Sequence, residues 1–75
     1  MANHIATIAA YPLKDGGYRG VMLMRSTKQR HASVPLETLE AAIYWAKSEA
    51  HRTFDGYALA PLRRKGEFQA NVWVA

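Results

Sequence analysis

The sequence predicts a two-layer α+β domain of order β-β-α-β-β. A four-stranded, mainly antiparallel sheet carries one helix packed on one face. Three observations predict it. Residues 36–54 (LETLEAAIYWAKSEAHRTF) repeat their apolar positions at helical spacing. Short apolar stretches lie on either side of that segment, separated by glycine-bearing turns, and read as two hairpins. The chain has 75 residues, which bounds it to a single domain, residues 1–75, with one small core.

The first strand is 4–11 (HIATIAAY). Ile5, Thr7, Ala9 and Tyr11 share one side, and His4, Ala6, Ile8 and Ala10 the other. Apolar groups on both sides suit a central strand or one covered on both faces. Pro12 ends it, and the Asp15-Gly16 step makes an antiparallel hairpin with the next strand. In that strand, 18–26 (YRGVMLMRS), Arg19, Val21, Leu23 and Arg25 alternate with Tyr18, Gly20, Met22 and Met24. The arginines mark the first set as the exposed face, so the methionines meet the helix. Gly20 marks a bulge or a close approach of the helix. Residues 26–33 (STKQRHAS) read as a polar loop.

At about 100° per residue, Leu36, Leu39, Ala42, Ile43, Ala46, Ala50, Thr53 and Phe54 fall on one arc of the helix. Leu39 and Ile43 are expected to supply most of its apolar volume, and the alanines let its axis come close to the sheet. Two starts are open: Ser33 as the cap, or Val34 as the cap with Pro35 at the first helical position. Glu37 and Glu40 suit the positive end of the helix dipole, and His51 and Arg52 the negative end. Asp55-Gly56 supplies a stop. Tyr44 and Trp45 lie away from the buried arc. They either fold down over an edge of the sheet or form a contact patch.

The third strand, 57–63 (YALAPLR), contains Pro61, which lacks a donor and argues for an edge or a bulge. After a tight turn, the last strand, 67–74 (EFQANVWV), has one clean apolar side of Phe68, Ala70, Val72 and Val74. Gln69, Asn71 and Trp73 form its other side.

One helix leaves a second sheet face, assigned here to Arg19, Val21, Leu23, Arg25, Gln69, Asn71 and Trp73. A one-residue slip of register would invert that assignment. The leading expectation is a small non-enzymatic protein-interaction module acting as a homodimer. Val21, Leu23 and Trp73 would meet across a symmetry axis, with Tyr44 and Trp45 as further interface candidates. The alternative is an RNA- or DNA-binding protein. Its contacts would be Arg19, Arg25, Lys28, Arg30, His31, Arg63, Arg64 and Lys65, with Trp73 stacking on a base. The net charge of +4 permits that reading without requiring it.

Other classes have less support. There is no cysteine, and no metal site or cofactor is expected. His4, His31 and His51 carry no catalytic spacing, and Ser26, Ser33 and Ser48 lack a nucleophile context. No glycine-rich phosphate cradle occurs. No signal peptide and no bilayer-length apolar run is visible, so the expected setting is cytoplasmic, without membrane contact. The hairpin followed by TLEAAIYWAKSEA resembles antitoxin domains of the HicB type, over residues 16–49. That resemblance implies a fold akin to double-stranded RNA-binding domains. The aromatic-rich P-G-C-like segment of that family is missing here, and no functional residue follows from the likeness.

Overall fold

The computed structural model describes residues 2–75, and at residues 63 and 64 the backbone alone. The elements are β1 (Asn3–Pro12), β2 (Tyr18–Met24), β3 (Arg30–Ala32), α1 (Leu39–Thr53), β4 (Ala58–Arg64) and β5 (Glu67–Val74). They form one sheet of order β3-β2-β1-β5-β4, antiparallel at every pairing. The α+β class holds, but the sheet has five strands where the sequence predicted four.

The additional strand lies in the segment read as a polar loop. Met24 N–H donates to Gln29 O at 2.9 Å, and Lys28 N–H to Met24 O at 3.1 Å, closing a hairpin turn. Lys28 holds a φ of 61° there, a left-handed position that glycine usually fills. The turn therefore carries no glycine to announce it. All three residues of β3 are exposed, so no apolar alternation marks the strand either.

Beyond β3 the chain stays on β2. Ser33 N–H donates to Gly20 O at 2.9 Å, and Gly20 N–H returns a bond to Ser33 Oγ at 3.0 Å. Leu36 and Tyr18 exchange backbone bonds of 2.7 and 2.8 Å. This extended pairing delays the helix, which starts at Leu39 rather than Leu36. Its cap is Thr38, whose Oγ1 accepts from Ala41 N–H at 3.0 Å. Neither Ser33 nor Val34 serves. At the other end Phe54 N–H donates to Ala50 O at 2.9 Å, and Asp55-Gly56 follows as expected.

Register assigns the faces. β1 pairs Ala10 with Gly20, Ile8 with Met22 and Ala6 with Met24, and on its other side Ile8 with Ala70 and Ala6 with Val72. Ala6, Ile8, Ala10, Met22, Ala70 and Val72 are all buried, beneath the buried alanines 42, 46 and 50 of α1. Ile5 is an extra residue between His4 and Ala6. This bulge puts His4 on the open face beside Thr7. The methionine side of β2 meets the helix and the arginine side does not, as the alternation indicated. Leu39 and Ile43 contribute less than expected. They are half-buried, and Thr53 is exposed. The largest fully buried side chains are Ile8, Met22 and Val72, so the core is thin.

Gly20 sets the helix position. A Cβ there would lie 2.5 Å from Ala42 O and 2.9 Å from Trp45 Cε3. Trp45 thus folds down on β2 and packs against the core, while its neighbour Tyr44 is 75% exposed. The helix lies over β2 and β1, touches β5 at its margin and does not approach β4. The molecule is correspondingly long, 40 × 22 × 18 Å. No helix among the described residues is long and apolar enough to cross a membrane.

Candidate functional site

Two surfaces result from this offset. The first is the sheet face opposite α1. Cross-strand pairs align Tyr11 with Arg19, Ala9 with Val21 and Gln69, and Thr7 with Leu23 and Asn71. His4 stands opposite Trp73, and Leu23 opposite Arg30. Arg30 Nη2 donates to Tyr11 Oη at 2.8 Å. Their strands flank β2, and Val21 between them is only 8% exposed. Leu23 remains 42% exposed.

At the other end of this face a directed chain of hydrogen bonds runs across three strands. Arg25 Nη1 lies 3.1 Å from His4 Nδ1. A guanidinium only donates, so Nδ1 is the acceptor. Nε2–H is then left to donate to Thr7 Oγ1 at 3.2 Å. Thr7 Oγ1–H donates to Asn71 Oδ1 at 3.4 Å. The His4 ring rests against Trp73 at 5.3 Å between centroids.

The charges on this face are unbalanced. Among the described residues Arg52 is ion-paired with Glu49, and His31 Nδ1 lies 3.9 Å from the same carboxylate. Arg19, Arg25 and Arg30 pair with no carboxylate. Arg19 Nε is buried and has no hydrogen-bond partner. The nearest acid by register is Glu67, which adjoins the Ala10–Phe68 pair and so lies at the Tyr11 end of this face, two strands from Arg19.

The second surface is the β4–β5 hairpin. Its loop is Lys65-Gly66, with Gly66 at a φ of 73°. A two-residue loop makes Arg64 and Glu67 a hydrogen-bonded pair, and by alternation so are Leu62–Gln69, Ala60–Asn71 and Ala58–Trp73. The backbone groups of Leu59 and Pro61 therefore point away from β5. Pro61 has no N–H to offer, which blunts the free edge. Ala58, Ala60, Pro61 and Leu62 are exposed, and Leu59 is half-buried. An apolar run thus stands without a helix above it.

The interface candidates read from sequence divide between two sides. Val21, Leu23 and Trp73 are on the open face. Tyr44 and Trp45 line a groove on the far flank of α1 with Leu36, Glu40, Ala41, Ser48 and Arg52. They cannot form one patch. The basic candidates divide as well. Arg19, Arg25 and Arg30 share the open face, and Lys28 sits in the β2–β3 turn. His31 is turned toward Glu49 of α1, and Lys65 is at the hairpin tip. The side chains of Arg63 and Arg64 lie outside the described residues. The three histidines are apart, with His51 on the last turn of α1 beside Tyr57.

Sequence reading missed Tyr11, His4, Thr7 and Leu62 as members of these surfaces. A two-residue Asp15-Gly16 turn would set Tyr11 opposite Gly20; the longer loop closed by Leu13 and Gly17 sets it opposite Arg19 instead. The bulge that brings His4 to Trp73 left no signal. Comparison of the chain with protein-family models, curated proteins and solved structures gives no match. The resemblance of residues 16–49 to HicB-type domains therefore finds no support there.

Proposed function

We propose that the chain is a non-enzymatic protein-interaction module that works as a homodimer joined through its β4–β5 hairpin. The observation that carries this reading is the set of exposed apolar residues Ala58, Ala60, Pro61 and Leu62 on an edge strand that α1 does not reach, with Leu59 between them packed against the core. Leu62 is 43% exposed. A second copy suits the surface because a twofold axis brings like against like, and this run contains no charge to repel its own image. Pro61 directs the contact to side-chain faces rather than to a continued sheet. Trp73, paired with Ala58, lies at the rim of the same patch.

Light scattering over a wide concentration range tests this. The expected result is a dimer mass for the parent chain and a monomer mass for Leu62→Asp, with Tyr44→Ser still dimeric. A monomer at every concentration, or a dimer indifferent to Leu62→Asp, would overturn it.

A further inference from the structure

We infer that the β1–β2–β3 part of the open face is a binding site for single-stranded nucleic acid. It borders the proposed hairpin contact at Trp73 and does not depend on that contact. Three features carry the inference. Arg19, Arg25 and Arg30 project from one face, and none pairs with a carboxylate among the described residues. Unpaired guanidinium groups gathered on one face fit a chain of phosphates, with which they make bidentate bonds. Arg19 lies near one end of β2 and Arg25 just beyond the other, beside His4, with about 17 Å of strand from Arg19 to Met24 at about 3.4 Å per residue. The positive groups thus form a track rather than a pocket, which suits a polymer better than a small anion.

The third feature is the surface between the arginines. Leu23 is 42% exposed there, and the rings of Trp73 and Tyr11 bound the track at opposite ends, held by His4 and Arg30. A flat sheet bearing aromatic rings and arginines accepts unstacked bases on its ring faces. A duplex presents its bases only at groove edges, and reading those takes an element that enters a groove. The open face is a sheet surface, and the helix lies behind it.

The test is fluorescence anisotropy with a labelled oligouridine of about twelve nucleotides, against a duplex of equal length and against polyglutamate. Three phosphate contacts predict a log–log salt slope of about −2, so affinity falls roughly fifteenfold between about 50 and about 200 mM salt. Arg25→Gln and Arg30→Gln are each expected to lower the slope by about 0.7, and Trp73→Leu to weaken oligouridine binding while leaving the slope unchanged. Arg25 and Arg30 are exposed, and circular dichroism of each variant verifies its fold. Absence of binding by the parent chain at low salt would overturn the proposal. So would equal affinity for the duplex or for polyglutamate, or a Trp73→Leu variant that binds oligouridine as the parent does.

Discussion

Gly20 and Ser33 show how much rests on single side chains here, or on their absence. At Gly20 any Cβ meets the carbonyl of Ala42 at 2.5 Å, and a backbone atom cannot swing aside as a side chain does. Gly20→Ala is therefore expected to cost about 1–3 kcal/mol, measured by urea unfolding. Gly56→Ala, where nothing lies within 4 Å, serves as the contrast and should be close to neutral. Ser33 is 7% exposed and its Oγ accepts from Gly20 N–H while donating to Val34 O at 2.8 Å. Ser33→Ala leaves a buried N–H without an acceptor, a loss of about 1–3 kcal/mol. The same unfolding experiment should show it. The left-handed Lys28 is the opposite case. Lys28→Gly removes a strained φ from an exposed turn and should raise stability by up to about 1 kcal/mol.

For the secondary-structure elements, legibility followed burial. Residues 67–74 alternate cleanly because one side meets a core and the other does not, and their bounds were read without error. The methionine and arginine sides of β2 were assigned correctly for the same reason. β3 was missed because exposed residues carry no pattern and its turn uses a lysine where glycine is the usual sign. The helix start was misplaced because Leu36 fits the apolar arc, yet its backbone is engaged by Tyr18. A period in sequence reports where a side chain would point in a helix, not whether the backbone is free to form one. The true cap gives a test. Thr38→Ala should destabilise the fold by about 1 kcal/mol, and amide exchange should quicken at Ala41 before it does at Ala50.

Taken whole, the molecule has a narrow margin. Its fully buried large side chains are Ile8, Met22 and Val72, and a chain this size holds roughly 4–11 kcal/mol in total, at about 0.05–0.15 per residue. Ile8→Ala, at about 2–5 kcal/mol, should remove a large share of that total and lower the urea midpoint accordingly. Association would widen the margin by mass action. If the hairpin joins two copies, the thermal midpoint should rise with protein concentration in the parent chain and stay constant in Leu62→Asp. The two proposed surfaces could be read in part from the sequence, since the alternation of Arg19, Val21, Leu23 and Arg25 already implied an open face. What it withheld was the lateral placement of the helix, which is set by a contact between Gly20 and Ala42 that no periodicity describes.

That contact has one more consequence. Because α1 is moored by backbone against backbone at Gly20, it is not free to drift sideways along the strands until the whole sheet is evenly roofed. The bare flank is therefore built in, and a larger residue at position 20 would do more than loosen the domain. By releasing the mooring, it would let the rod slide toward β5 and hide the very strand by which we propose two molecules find each other.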